Sequence, residues 1–68
     1  MITPEELKEL GFLHESITDT WVKNGVWICL EDGKVTEISS GESKWLEILP
    51  VDNIGLLNVI IYVLFDRA

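Results

Sequence analysis

Sixty-eight residues leave room for one domain, residues 1–68, and no more. Apolar residues make up 47% of the chain, which separates it from the disordered class, and a lone cysteine excludes an internal disulfide and a thiolate zinc site. Twelve acidic residues against five basic ones give a formal net charge of −7, a field that repels phosphate backbones and anionic lipid, so neither nucleic acid nor a membrane is an expected partner.

The first predicted element is a short helix. Thr3 is a natural N-cap, Pro4 suits the first helical position, and Glu6 completes a capping box. Ile2 and Leu7 occupy the positions of a hydrophobic staple. Gly11 is a left-handed stop, behind which Phe12 can contact Leu7. About two turns of helix with only Leu7 and Leu10 on the apolar side need tertiary contacts to persist. No basic region followed by an apolar run opens the chain, so a signal peptide is not expected.

From Phe12 to Leu49 the punctuation is that of a β-meander. Asn24-Gly25 lies between Thr20–Lys23 and Val26–Leu30, the strongest short-range hairpin signal a sequence offers. Asp32-Gly33 repeats the device before Lys34–Ser39, and Ser40-Gly41-Glu42 breaks the chain before Lys44–Leu49. Phe12–Ile17 is a candidate for a further edge strand. A two-residue loop at Asn24-Gly25 sets Val22 against Trp27 and Trp21 against Ile28, so both faces of that hairpin carry large apolar groups. A sheet covered on one face has no need of this. Either another element covers the second face or part of it is left as a patch.

After Pro50, Asp52 is the expected N-cap of a last helix, with Val51 and Leu56 at staple spacing. Val59–Val63 has high β-propensity, but the apolar run exceeds ordinary strand length. Gly55, Asn58, Tyr62 and Asp66 also form one stripe at helical period, which favours a helix over Ile54–Phe65. Such a helix reaches about 18 Å, short of the roughly 30 Å hydrocarbon layer. The rest of its surface is apolar, whereas packing on one sheet needs a band only about 100° wide. It must meet a second apolar surface. The expected architecture is α+β, a four-stranded antiparallel meander flanked by an N-terminal and a C-terminal helix, α-β-β-β-β-α.

Few side chains suggest chemistry. His14 and Cys29 are the available nucleophile–base pair, but no orienting group or oxyanion donors stand at recognisable spacing. A metal site from His14 with Glu15 or Asp19 has no second imidazole. Neither catalytic residues nor metal or cofactor ligands are assigned. Trp27 reads as core, while Trp21 and Trp45 are equally suited to anchoring a partner. The opening Thr3-Pro4-Glu5-Glu6-Leu7-Lys8-Glu9-Leu10-Gly11-Phe12, a Trp-bearing strand and the Asp32–Val35 hairpin together resemble small uncharacterised proteins of bacteria and their phages. That resemblance covers about the first half of the chain, implies no activity and assigns no site.

The expectation is a non-catalytic protein-interaction module that self-associates as a homodimer or higher homo-oligomer and takes another protein as partner. Its candidate interface is Trp21, Trp45, Leu57, Ile61, Leu64 and Phe65. A single unpaired thiol suits the reducing cytoplasm. The competing class is a small-ligand-binding or sequestering protein, with a tryptophan-lined pocket at a subunit interface.

Overall fold

The computed structural model describes residues 1–40 and 45–65. Along the chain run α1 (Pro4–Leu10), β1 (Leu13–Glu15), β2 (Thr20–Lys23), β3 (Val26–Glu31), β4 (Lys34–Ser39), β5 (Leu46–Val51) and α2 (Ile54–Phe65). The strands form one antiparallel meander in chain order. The expected α+β class is present, with five strands in place of four. The additional strand is the edge segment after Phe12, which pairs Leu13 with Val22 and Glu15 with Thr20. The break at Gly41-Glu42, the strand start at Lys44, and Asp66 of the helical stripe lie outside the described residues.

Local chemistry sets α1 as expected. The Glu6 N–H donates to Thr3 Oγ1 at 3.2 Å, and the Thr3 N–H donates to Glu6 Oε1 at 3.0 Å, which closes the capping box. Gly11 ends the helix at φ +104°, and the Phe12 N–H donates to the Leu7 carbonyl at 2.9 Å. Ile2, Leu7 and Phe12 are thereby delivered together to the core.

Both hairpin signals make tight turns. Asn24 and Gly25 have φ of 50° and 76°, and Asp32 and Gly33 have 51° and 74°, the paired left-handed conformations of a type I′ turn. Between β3 and β4 the register shifts after Cys29: Cys29 faces Glu37, but Leu30 faces Val35. Thr36 is the extra residue of a bulge. Val35 and Ile38 stand three apart, where strict alternation would place one of them outside, yet both are buried. The bulge reconciles them.

Two boundaries in the last third differ from expectation. The final strand continues through Pro50 to Val51 instead of ending at Leu49. Four residue steps on β5, from Glu47 to Val51, oppose two on β4, from Glu37 to Val35, and this irregularity on an edge strand accommodates a residue without an N–H. The N-cap of α2 is Asn53, not Asp52. Its Oδ1 accepts the Leu56 N–H at 2.9 Å and its carbonyl accepts the Leu57 N–H at 3.0 Å. A shift of one residue turns the helix by about 100°. Leu57 consequently enters the core, and Leu56 faces away from it.

Both helices lie on one face of the sheet. Ile2, Leu7 and Phe12 around α1, with Leu57 and Ile61 of α2, join Trp21, Val26, Ile28, Val35, Ile38 and Val51 in a single cluster. Alternation turns Val22, Trp27 and Cys29 to the reverse face, which neither helix reaches.

Gly33 is a sensitive point of this arrangement. The Ile2 N–H donates to its carbonyl at 2.8 Å, and a Cβ added there would overlap the Met1 side chain. Gly33→Ala is expected to lower stability by about 1–2 kcal/mol, the cost of a left-handed alanine, as read from the urea midpoint. An unchanged midpoint would count against the type I′ turn.

Candidate functional site

Two uncovered surfaces follow from this packing. The first is the outer side of α2. Leu57 and Ile61 point into the core, with Ile54, Ile60 and Phe65 half-buried beside them. Val59 is two residues from both Leu57 and Ile61, so it lies about 160° around the helix from each. Leu56, Val59 and Val63 are 51%, 56% and 73% exposed. Tyr62 and Leu64 are exposed too, and no residue from Ile54 to Phe65 carries a charge. A surface helix ordinarily turns charged residues outward. This one does not.

The six residues expected to form an interface are divided among three places. Trp21, Leu57 and Ile61 are core residues, so they are corrected from surface anchors to packing residues. Trp21 pairs with Ile28 on the covered face, and the Asn53 cap turns Leu57 and Ile61 onto the sheet. Leu64 is exposed on α2, Phe65 packs half-buried against the core, and Trp45 lies at the head of β5, 40% exposed. The residues missed were Leu56, Val59 and Val63. Their signal was angular: they oppose Leu57 and Ile61 once the cap is set at Asn53.

The second surface is the reverse face of the sheet. Leu13, Val22, Trp27 and Ser39 are successive cross-strand partners and project on one side. Trp45 comes one residue before Leu46, which pairs with Ile38, and so continues the row beyond Ser39. A small buried serine between two tryptophans leaves a slot. The resulting open concavity, of ≈ 460 Å³, is lined by Trp27, Trp45, Cys29, Glu37, Ser39, Thr18 and Thr20. Thr20 and Ser39 are buried, and the hydroxyls of Thr18 and Thr20 share a hydrogen bond of 2.7 Å. Trp27, expected in the core, is half-buried here, and Trp21 holds the core position instead.

Cys29 and Glu37 stand directly opposite each other at this concavity, and Glu37 in turn opposes Glu47. Burial pushes the Cys29 thiol above its ordinary pKa, and the carboxylates of Glu37, Asp19 and Glu31 push the same way. His14 is on the other side of the sheet. It pairs with Trp21, its ring centroid 4.9 Å from the indole, and its Nε2–H donates to Asp19 Oδ1 at 2.8 Å. The fold therefore does not bring His14 to Cys29. Among the described residues no three His, Cys, Asp or Glu side chains converge as metal ligands, and no helix is long and apolar enough to cross a membrane.

Comparisons of the chain with protein families, curated proteins and solved structures return no match. The function is therefore read from these two surfaces.

The Cys29 environment sets a pH dependence. A raised folded-state pKa means that the native protein holds this proton to higher pH than the unfolded chain does. The associated stability is complete below the ordinary thiol value of 9.0 and is lost as pH rises through the folded value. The urea-midpoint difference between wild type and Cys29→Ala should shrink as pH is raised from about 7 to about 10.5. A constant difference would contradict the raised pKa.

Proposed function

We propose that this chain is a non-catalytic protein-interaction module, acting as a two-fold homodimer joined through the outer face of α2 and able to present the rest of its surface to a protein partner. The observation that carries the reading is the uncharged outer side of α2, where Leu56, Val59 and Val63 are exposed together. Contiguous apolar patches beyond a few hundred Å² are uncommon on soluble monomers and mark interaction sites. A second copy is the simplest cover, because one self-complementary patch suffices for two-fold pairing. Burying about 400 Å² of apolar surface per subunit would contribute roughly 10 kcal/mol for each, against an association cost of about 4–15 kcal/mol. The lone thiol of Cys29 and the acidic surface fit a cytoplasmic setting.

A second reading is supported by a separate observation. Trp27 and Trp45 line the concavity on the reverse face, in the size range of small-ligand sites, which supports small-ligand binding or sequestration beside self-association. The two readings use opposite faces and do not compete for residues.

Self-association is tested by light scattering coupled to size exclusion at micromolar concentration. Ile61 is buried, so its substitution would report on folding; Val63→Glu addresses the open face. The wild type should elute with twice the 7.7 kDa chain mass, and Val63→Glu should elute with one chain mass while keeping the wild-type circular dichroism. A wild type at one chain mass, with Val63→Glu unchanged in stability, would refute self-association.

A further inference from the structure

We propose that the slot between Trp27 and Trp45 binds a methylated ammonium head group. The inference rests on the ligand-binding reading of the reverse face and adds the chemistry of the ligand.

The placement of the aromatic rings is the starting point. Trp27 on β3 and Trp45 at the head of β5 are separated by β4, so two strand spacings, about 10 Å, divide their backbones. The residue between them is Ser39, too small to fill the gap and paired directly with Trp27. A group seated over Ser39 lies between the two tryptophan-bearing strands, about 5 Å from each backbone and within side-chain reach of both indoles. Indole is the strongest aromatic partner for a cation.

The charges around the slot select the sign. Glu37 lines the concavity and faces Glu47 across the β4–β5 ladder, a like-charge pair that is unfavourable when directly opposed. Among the described residues neither carboxylate has a cationic partner. Of the lysines in the sheet, Lys34 stands opposite Glu31 and Lys23 extends over Phe12 on the covered face. Cys29, opposite Glu37, is held as the neutral thiol and adds no charge of its own. A cation in the slot would relieve the Glu37–Glu47 repulsion, and the formal −7 of the chain favours its approach. An anion meets the opposite field. A neutral ring gains stacking and leaves the carboxylates uncompensated.

The head group is methylated because Trp27 and Trp45 present apolar ring surface at the slot, which methyl groups can cover. A bare ammonium would find one charged acceptor there, the Glu37 carboxylate, and would give up water from its other N–H donors against the rings. A trimethylammonium needs no acceptor, buries its methyls against the indoles, and meets Glu37 by charge alone. Such a group belongs either to a free solute or to a modified lysine of a partner protein.

The test uses the whole chain, with choline as the probe and 3,3-dimethylbutan-1-ol as its uncharged isostere. Binding is followed by titration NMR of the three indole N–H resonances. Choline should shift the Trp27 and Trp45 signals saturably and leave the buried Trp21 signal in place. The isostere should bind about tenfold more weakly. Trp45→Ala and Glu37→Gln should each weaken choline binding by about five- to tenfold, and neither residue belongs to the core. A trimethyllysine peptide in parallel separates the sources: tighter binding than choline assigns the head group to a partner protein, weaker binding to a free solute. Equal binding of the isostere would overturn the cationic ligand and leave the ligand-binding reading standing. No saturable shift with either probe would overturn both.

Discussion

A seven-residue helix and a twelve-residue helix must cover a five-stranded sheet, and both are committed to the same face. Everything else in the molecule depends on that one-sided coverage. The capping box at Thr3 and the stop at Gly11 deliver Ile2, Leu7 and Phe12 to the core as one group. The Asn53 cap sets the rotation of α2, so that Leu57 and Ile61 complete it. A chain this short buries about 60% of the surface it exposes when unfolded, and among the described residues these two helices are the elements packed on the sheet. Two apolar regions are left over as a direct consequence: the back of the sheet and the back of α2.

The distribution of charge suits these regions to different proposed uses. Each copy carries a formal −7, so two copies repel wherever acidic residues face each other. The stretch Ile54–Phe65 has no charge and is the surface on which that repulsion is smallest. The proposed pairing through α2 would leave the Trp27–Trp45 concavity open in both copies, because it lies across the sheet from the helices. Glu37 and Glu47 keep that side acidic, which suits a cationic occupant and disfavours a second acidic copy.

Much of the fold was legible because its signals are local. Asn24-Gly25 and Asp32-Gly33 each need two left-handed residues in succession, and Thr3-Pro4-Glu5-Glu6 satisfies helix donors within four positions. The less legible features depend on partners distant in sequence. Asp52 and Asn53 are both competent caps, and choosing between them requires knowing where the helix meets the sheet. Pro50 stops a central strand but is tolerated in an edge strand, and only the topology makes β5 an edge. The bulge at Thr36 hides in a segment whose alternation looks merely imperfect. For the candidate site, the sequence showed that both faces of the β2–β3 hairpin are apolar. It held no sign of which face the helices would take, and the roles of Trp21 and Trp27 were exchanged for that reason.

The central claim, that the outer face of α2 is completed by a second copy of the chain, is tested most directly by isotope-filtered NOEs on a mixture of labelled and unlabelled protein. The account predicts intermolecular contacts among the methyls of Leu56, Val59 and Val63, and none from the buried Leu57. Intermolecular contacts confined to Trp27, Trp45 or Leu13, or none from α2 at a concentration where the mass is that of a dimer, would contradict it.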